Sequence, residues 1–550
     1  MVKKEGLPNN RKFHLIFSVC LAIFIAAGAF IFYANNLVAT LDHDSISYSL
    51  AIEKNSWTEI YHAHHLLYGY FKWVAWDILK SHGYEGRALL VNQIFNTFFG
   101  ALGIGLIFLA VRYFSGSYFL GFLASVFLTF AHGYWYCSTF GGVRIMGTFF
   151  LLATFFAAAI FTREKRLKHY QNILLIVLIA LLHSMAVFCH QTNIMFMAVV
   201  CTVMFFKKET LNKKILYFSV YLTLALLIVV GLYWYVGWQV FYCTTWERYH
   251  NWLTSYANYG LWGKFTEKSI PDSIMGVRAL FCGIVDGSIK VPGLGIKNET
   301  AYYTFLNTSR VMLLLFAGLS FWLFKQWKAV IAGIGVWLLL YVPFFIWWEP
   351  GNMEFWLPML PVFLILAALP LGFIWTAFKP VKWVLRVVTG LLLIYVIFIY
   401  AWYNYTNLIL PRSNPENSGY ANAMNNLAQV REGPEDLVVI MGWDAMKINI
   451  NYYFNQDYIS ILVLASKYKS EPEKIYAVLK ERIKKKSESG HKVLIHKDVI
   501  RARYFEEINS IYKTMDKNEF TKFFSDNVEL TPLMKGNIFY YYDAKPKKNR

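Results

Sequence analysis

The chain alternates long apolar runs with short polar segments, and most runs have the length of a membrane-crossing helix. A transmembrane helix needs about 20 residues that are predominantly apolar, and by this criterion the sequence predicts about eleven spans. The predicted spans are Phe13–Ala34, Leu89–Val111, Tyr118–Tyr136, Ile145–Phe161, Ile173–Cys189, Ile194–Phe206, Ile215–Val236, Val311–Phe324, Ala329–Trp347, Phe355–Phe378 and Val381–Tyr403. The first is longer than the core of a signal peptide and lacks a small-residue cleavage site, so it is predicted to remain as an anchor.

Composition also indicates a membrane protein. Of the 550 residues, 57% are hydrophobic and 16% are charged, whereas soluble proteins average about 25% charged residues. The formal net charge of +19 would suit a nucleic-acid-binding protein, but many Lys and Arg residues lie in short loops between apolar runs. That distribution is typical of membrane orientation signals, so we expect no nucleic-acid partner.

Lysine and arginine occur in alternate loops between the predicted spans. One set of loops holds Lys3, Lys4, Arg11, Lys12, Arg112, Arg163, Lys165, Arg166, Lys168, Lys207, Lys208, Lys213, Lys214, Lys325, Lys328, Lys379 and Lys382. The other short loops hold almost no cation except Arg144. Because basic loops stay in the cytoplasm, this alternation predicts a cytoplasmic N-terminus, an extracytoplasmic C-terminal part and a multi-pass protein of a bacterial inner or plasma membrane.

Two domains are predicted. Residues 1–403 form the membrane domain, with a first outer loop at 40–87 and a long outer loop at 237–310. Residues 404–550 are polar and Lys-rich, and we expect them to form a separate extracytoplasmic domain.

Strand and helix patterns alternate in the C-terminal part. Buried strands are predicted at Asp436–Gly442, Tyr458–Leu464 and His491–His496, and a helix is predicted at Glu471–Ser489, with acidic residues first and basic residues last. Such alternation is typical of a small α/β layer domain. The domain has no G-x-G-x-x-G motif and no Walker A lysine loop, so no nucleotide site is predicted.

The first outer loop opens with two carboxylates, Asp42 and Asp44, on either side of His43. A short helix is predicted at Asp44–Ala51, and it places Asp44 and Tyr48 on one face because they are four residues apart. The carboxylates have three competing interpretations. They cap the helix start, form a D-x-D site for Mg or Mn, or include a catalytic base.

Three histidines follow, on a helix predicted at about Trp57–Leu79. Its mixture of aromatic and basic residues is typical of an amphipathic helix at the membrane interface. His62 and His65 are three residues apart and face one way, whereas His64 faces another, so at most two of them line one site. They either assist a metal site, which would shift the choice towards Zn, or bridge lipid headgroups and water.

This order of elements resembles the GT-C superfamily of membrane glycosyltransferases, of the protein O-mannosyltransferase and aminoarabinose transferase type. Those families carry D-E-x-x-Y after the first span, and the matching stretch here is Asp44-Ser45-Ile46-Ser47-Tyr48. The resemblance implies that Asp44 is the catalytic aspartate and that Tyr48 has the packing role. Ser45 replaces the usual glutamate, which leaves Asp42 as an open second candidate.

Two further motifs are similar to those of the family. The segment EFWLPMLP (Glu354–Pro361) is similar to its aromatic-x-Leu-Pro entry to a late helix, and the alternative is a proline-kinked helix start. The segment HQTN (His190–Asn193) lies at the outer end of the fifth predicted span. Its polar residues either face a water-filled cavity or form a tight turn.

Outside the cytoplasmic membrane nucleotide sugars are scarce, so a sugar donor there is usually carried on a polyprenyl phosphate. Transfer to a glycan, lipid or protein acceptor needs a base for its hydroxyl or amine, and cationic or hydrogen-bonding groups for the departing phosphate. Asp44 is the candidate base. The candidates for contacts with the substrates are Tyr48, His62, His65, Arg144, His190, Gln191, Arg248, His250, Glu349 and Glu354.

Some candidates have structural alternatives. Arg144 is a cation where the orientation pattern disfavours one, and it either binds phosphate or snorkels to the headgroups of membrane lipids. Glu349 and Glu354 flank a late outer loop, and they either bind sugar or metal or are solvated loop acids. The only cofactor indicated is a divalent metal at Asp42 and Asp44, and that interpretation stays open.

Two other functions share this layout. A transporter or flippase for a lipid-linked glycan usually shows inverted repeats and charged groups within its spans, and no such repeat is evident in the sequence. A non-catalytic membrane assembly protein needs no aspartate beside its first span. The sequence therefore favours a GT-C-type integral-membrane glycosyltransferase that uses a polyprenyl-phosphate-linked donor, with these two functions as alternatives.

Overall fold

A computed structural model describes residues 8–39, 43–165, 167–255, 263–282, 318–319, 324–377, 382–442, 444–468, 471–503, 505–506, 508, 515–534 and 540–547. The chain forms two compact units. The first unit consists of residues 1–37 and 51–411, and the second consists of residues 38–50 and 412–550.

Up to residue 413, the described chain is helical apart from its turns. The helices are α1 (Pro8–Ala34), α2 (His43–Glu53), α3 (Trp57–Ile60), α4 (Tyr68–Ser81), α5 (Ala88–Ser115), α6 (Tyr118–Phe130), α7 (His132–Thr139), α8 (Arg144–Arg163), α9 (His169–Cys189), α10 (Phe196–Phe205), α11 (Leu211–Gln239), α12 (Trp246–Leu253), α13 (Ser269–Cys282), α14 (Phe324–Trp348), α15 (Met353–Trp356), α16 (Met359–Ala377), α17 (Lys382–Asn404) and α18 (Leu410–Ser413). Among the described residues, eight helices are long and apolar enough to cross a membrane. The protein is therefore a mainly helical, polytopic membrane protein.

Eight predicted spans correspond to these long helices, and three do not. The predicted spans Tyr118–Tyr136 and Ile194–Phe206 correspond to shorter apolar helices. The first of them ends early because Ala131 has an extended backbone and the chain restarts as α7. The predicted span Val311–Phe324 lies outside the described residues, except for residues 318, 319 and 324.

Helix α5 lies at the centre of the first unit, where it packs against α1, α6, α8 and α16. A Cβ atom on Gly105 would lie 2.8 Å from the carbonyl oxygen of Ala22, so glycine lets α5 approach α1 closely. Small residues serve this purpose between membrane helices, which are held together largely by close packing.

The helix predicted at Trp57–Leu79 is broken, so that prediction is wrong. The chain forms α3, then a turn over residues 61–67, and then α4. Contacts with distant residues replace the helical bonds of the turn. The backbone N–H of Leu67 donates to the Phe188 carbonyl at 3.1 Å, and the Tyr233 hydroxyl donates to the Ala63 carbonyl at 2.9 Å.

The C-terminal part of the second unit is an α/β domain. Its described elements are α19 (Gly419–Val430), β1 (Leu437–Ile440), α20 (Asp444–Phe454), β2 (Tyr458–Ser460), α21 (Ile461–Lys467), α22 (Pro472–Glu488), β3 (Val493–His496), α23 (Lys497–Ile500), α24 (Lys517–Asn527), β4 (Val528–Pro532) and β5 (Tyr541–Pro546). The strand order is β2-β1-β3-β5-β4. The first three strands pair in parallel, and β5 pairs antiparallel with both β3 and β4.

The predicted strands at Asp436–Gly442 and His491–His496 are confirmed as β1 and β3, and the predicted helix at Glu471–Ser489 is confirmed as α22. The prediction for Tyr458–Leu464 is only half right, because the strand ends at Ser460 and a helix follows. The Ser460 hydroxyl accepts a hydrogen bond from a backbone N–H of that helix, which is the contact that serine commonly makes at a helix start. Helices cover both faces of the sheet, since α22 packs on one face and α19 on the other.

Candidate functional site

A small cavity opens in the first unit. Its lining residues are Arg144, Thr148, His190, Thr192, Asn193, Tyr341, Phe345, Glu354, Phe355 and Pro358. They come from the first turn of α8, the turn after α9, the second half of α14 and the segment that leads into α16. Three of the residues predicted from sequence, Arg144, His190 and Glu354, therefore share one cavity.

Arg144 brings a positive charge to this cavity. It is the first residue of α8 and is half-buried, and its guanidinium carbon lies 3.8 Å from the centroid of the Phe355 ring. The His190 ring stands edge-on to the same Phe355 ring, with the centroids 6.1 Å apart. A guanidinium on an aromatic face is held by cation–π attraction, and its planar fork of N–H donors matches the oxygens of a phosphate.

The three histidines of the turn between α3 and α4, His62, His64 and His65, gather close to His190. The centroids of the His62 and His64 rings lie 5.5 Å apart, those of His62 and His65 lie 5.8 Å apart, and those of His65 and His190 lie 4.8 Å apart. None of the three lines the cavity itself, so the prediction that at most two of them line one site stays a prediction. It assumed a continuous helix, whereas the turn that replaces this helix bends the three rings together.

Hydrogen bonds fix the proton positions on two of these rings. Nδ1 of His62 accepts from the backbone N–H of His64 at 3.2 Å. Nδ1 of His190 accepts from the backbone N–H of Thr192 at 3.4 Å and lies 2.6 Å from the Thr192 hydroxyl. A neutral imidazole that accepts at Nδ1 carries its proton on Nε2. His62 and His190 are thus N–H donors at Nε2.

Three of these histidines, His64, His65 and His190, are kept neutral by their surroundings. Desolvation, followed by the nearby charges of His62 and Arg144, lowers the pKa of His64 to about 4. Desolvation and then the Arg144 charge hold the pKa of His65 and of His190 well below the ordinary value of 6.5. Removal from water disfavours the charged imidazolium, and a neighbouring cation disfavours it further. At neutral pH these histidines contribute hydrogen bonds, while Arg144 contributes charge.

A buried polar network supports the turn after α9. The ring of His183 donates from Nε2 to the Asn193 carbonyl at 3.0 Å, and the Tyr221 hydroxyl donates to His183 Nδ1 at 2.8 Å. The Tyr341 hydroxyl donates to Oδ1 of Asn193 at 3.3 Å.

Both interpretations of the HQTN segment hold in part, since residues 191–195 form a 3₁₀ turn and the turn lines a cavity. Tyr341 carries no sequence signal that sets it apart from other membrane tyrosines.

Gln191 holds the histidine turn in place but does not line the cavity. Its backbone N–H donates to the His64 carbonyl at 2.9 Å. Its side-chain amide donates to the Leu253 carbonyl at 3.4 Å. Its predicted contact with substrate stays a prediction.

Glu354 places a carboxylate at the edge of the cavity. It lies in α15, where the side chain of Asn352 accepts a hydrogen bond from the Glu354 backbone N–H at 3.0 Å. The EFWLPMLP segment forms this short helix, a turn at residues 357–358, and the start of α16. Its position beside Arg144 and His190 gives Glu354 access to a ligand in the cavity.

Asp44 and Tyr48 belong to the second unit. The helix predicted at Asp44–Ala51 is confirmed within α2, so both side chains project from one helix four residues apart. The Asp44 side chain is 59% exposed, and one of its oxygens lies 3.3 Å from Nδ1 of His43. Ser45, at the position of the family's glutamate, is buried. Asp42 lies outside the described residues.

Three other predicted residues do not line the cavity in the part of the chain that the structure describes. Arg248 and His250 are exposed on α12, and Glu349 lies just after α14. Their roles stay predictions. In the described ranges, no group of three His, Cys, Asp or Glu residues could hold a metal ion. Asp42 lies outside these ranges, so the D-x-D interpretation stays a prediction.

Comparison with known proteins finds relatives by structure only. No family model matches the chain, and no curated protein matches it by sequence. Among solved structures, ArnT from Cupriavidus metallidurans bound to undecaprenyl phosphate has a TM-score of 0.57 and 11% identity, and the match covers 96% of this chain and 97% of that chain. The same protein in the apo state has a TM-score of 0.55 and 12% identity, over 97% of this chain and 98% of that chain.

A second relative by structure is the archaeal oligosaccharyltransferase AglB from Archaeoglobus fulgidus, in complex with an inhibitory peptide and a dolichol-phosphate. Its TM-score is 0.54 and its identity 12%, and the match covers 97% of this chain and 74% of that chain. Both neighbours are GT-C superfamily membrane glycosyltransferases. The expected fold is therefore confirmed, since the chain has the GT-C architecture with a small C-terminal α/β domain.

Proposed function

We propose that this protein is an integral-membrane glycosyltransferase. It moves a sugar from a polyprenyl-phosphate-linked donor to an acceptor on the extracytoplasmic side. The observation that carries the proposal is the position of Arg144, whose guanidinium lies on Phe355 in a cavity that it shares with His190 and Glu354. The fold neighbours support it, because one is bound to undecaprenyl phosphate and another is in complex with a dolichol-phosphate.

The cavity is suited to the phosphate of the donor. Arg144 supplies a permanent positive charge, and His190 supplies a neutral N–H donor at Nε2. His62, which does not line the cavity, is a further candidate donor on the neighbouring turn. Such donors stabilise a departing phosphate most strongly when they are held in place beforehand and partly removed from water. The Thr192 contact and the Asn193 network described above hold the His190 side of this arrangement.

The transfer step needs a base at the acceptor. In our proposal Asp44 removes the proton from the acceptor hydroxyl or amine, whose lone pair attacks the anomeric carbon. The bond between that carbon and the phosphate oxygen breaks, and the phosphate leaves with the bonding electrons. The high exposure of Asp44 suits an acceptor that arrives from water. Glu354 is the competing carboxylate, because it lines the cavity itself.

Binding of undecaprenyl phosphate to the purified protein tests the phosphate site. A hydrogen bond to a charged group contributes about 1.5–3 kcal/mol, so Arg144→Gln should weaken binding by about 10- to 100-fold. Arg112→Gln is the matched control, because its guanidinium packs on the Tyr118 ring, 4.4 Å from the centroid, away from the cavity lining. Polyprenol without phosphate should bind both variants and the parent equally. Unchanged binding of undecaprenyl phosphate to Arg144→Gln would reject the proposed site.

A further inference from the structure

The turn that leads into Arg144 is held by side chains through its carbonyl groups. Side chains of α5 bind four carbonyls at the end of α7 and in this turn. The Thr97 hydroxyl donates to Ser138 O at 3.1 Å, and the Gln93 amide donates to Thr139 O at 2.9 Å. The Asn96 amide donates to both Phe140 O and Gly142 O, each at 2.7 Å.

Helix α4 binds the last part of the same turn. The ammonium of Lys72 donates to the Gly141 carbonyl at 2.8 Å. The Tyr68 hydroxyl donates to the same carbonyl at 2.9 Å and also contacts the Gly142 carbonyl. The two side chains support each other, since Lys72 Nζ lies 3.9 Å from the centroid of the Tyr68 ring.

Lys72 is an unusual residue for this position, because its side chain is fully buried. A buried ammonium is costly unless hydrogen bonds and nearby electron density compensate for the lost water. An apolar side chain such as methionine would fill a similar volume without that cost. The lysine therefore supplies what an apolar residue cannot, which is a charged donor to the Gly141 carbonyl, three residues before Arg144.

The same helix also continues from the histidine turn. The backbone N–H of Tyr68 donates to the His65 carbonyl at 3.3 Å, and Tyr68 and Lys72 then bind the turn before Arg144. One rigid element thus connects the histidine side of the cavity to its arginine side.

We propose that Lys72 is a positioning residue for Arg144. Its bond to Gly141 holds the turn so that the guanidinium stays on Phe355 in the cavity. This inference rests on the proposed function, because the effect is expected on the phosphate of a polyprenyl phosphate. Lys72 is not proposed to touch that phosphate.

A double-mutant cycle with undecaprenyl phosphate as the probe tests the inference. Lys72→Met should weaken binding by about tenfold, which is within the range of coupled neighbouring residues. In the Arg144→Gln background the same substitution should change binding less than about twofold, because the guanidinium that it positions is gone. Binding of phosphate-free polyprenol should not respond to Lys72→Met. Loss of packing alone would weaken binding in both backgrounds and for both ligands.

Lys207→Met is a matched control. Lys207 is also buried, donates to the Phe161 and Glu164 carbonyls at 2.6 and 2.8 Å, and lies near the Phe161 ring, but it does so at the other end of α8. Its replacement should leave binding of undecaprenyl phosphate unchanged. If Lys72→Met does not fold, Tyr68→Phe takes its place, because it removes a donor to the same carbonyls at nearly constant volume.

The outcomes separate the two proposals. If Arg144→Gln weakens binding and Lys72→Met does not, the positioning role is wrong while the phosphate site stands. Equal weakening by Lys72→Met in both backgrounds also overturns the positioning role. If Arg144→Gln itself has no effect, the phosphate site fails and the positioning role fails with it.

Discussion

The centroid of the His65 ring lies 4.8 Å from that of the His190 ring, although the first belongs to the turn before α4 and the second follows α9. This contact joins two histidine-containing segments that the sequence keeps far apart. It also brings the loop histidines near the cavity that holds Arg144. Around this contact His64, His65 and His190 form one electrostatic unit, in which desolvation and then the neighbouring charges lower the pKa of each ring and keep it neutral.

The free energy of unfolding should decrease at acidic pH, because the folded protein keeps these histidines neutral. The folded protein keeps the pKa of His64 at about 4, whereas an unfolded chain has an ordinary histidine value of about 6.5. Between these values the unfolded state binds the extra proton, so the free energy of unfolding decreases as the pH falls from about 6.5 to about 4.

Thermal denaturation at pH 7.5 and pH 5 measures this effect. The midpoint of the parent should drop between the two pH values, and the drop should be smaller in His64→Gln. His250→Gln, at an exposed position on α12, is the control and should follow the parent. An equal drop in the parent and His64→Gln would show that His64 is not held neutral.

The base should be identified by turnover. General base catalysis contributes about 10²–10⁴-fold, so Asp44→Asn should reduce turnover by that factor while binding of the donor lipid is kept. Asp42→Asn should be milder, because a helix cap contributes only about 0.5–2 kcal/mol to stability. A severe loss of turnover in Glu354→Gln, with little change in Asp44→Asn, would show that Glu354 is the general base instead of Asp44. Severe losses in both aspartate variants, together with a need for added divalent metal, would favour the D-x-D interpretation.

The donor should be carried on a lipid. The proposed site is extracytoplasmic, and the C-terminal domain of the chain lacks a nucleotide-binding motif. We therefore expect the protein to accept polyprenyl-phosphate sugars. Purified protein in detergent should turn over at least one member of a panel of such donors, and it should ignore nucleotide sugars. Direct use of a nucleotide sugar would contradict this expectation. Binding without any turnover, combined with movement of the lipid across vesicle membranes, would favour a flippase.

The topology can be tested independently of activity. From the alternation of basic loops, the domain after residue 404 should lie outside and the N-terminus inside. A reporter that is active only in the cytoplasm should be silent when fused after Arg550. The same reporter fused before Met1 should be active. Activity of the reporter at the C-terminal fusion would show that the C-terminal domain is cytoplasmic, which would contradict an extracytoplasmic site.

The length of the apolar runs was sufficient to predict the helical membrane architecture, because it depends on local sequence alone. The break in the loop helix was not predictable in this way. It depends on hydrogen bonds between Ala63 and Tyr233 and between Leu67 and Phe188, which local periodicity does not contain. The end of β2 depends on the Ser460 cap, which competes with strand propensity over a run of apolar residues.

The site was only partly predictable, because sequence shows individual polar residues but not which of them come together in the fold. Arg144 is conspicuous in sequence as an isolated cation, and His190 as part of a polar segment beside a span. Their meeting with Glu354 in one cavity follows from tertiary packing. Lys72 was expected on an amphipathic interfacial helix, yet it is buried against Gly141. Sequence periodicity cannot indicate that contact, because α4 packs on a turn that lies about seventy residues further along the chain.

The central claim is that the Arg144 cavity receives the phosphate of a polyprenyl phosphate. An experimental structure of the full chain with undecaprenyl phosphate bound measures this most directly. Charge-assisted bonds between a guanidinium and a phosphate are about 2.7–2.9 Å long, so at least one phosphate oxygen should lie at that distance from an Arg144 nitrogen, with a second near Nε2 of His62 or His190. A bound phosphate outside this cavity, with Arg144 still on the Phe355 ring and no contact between them, would contradict the account.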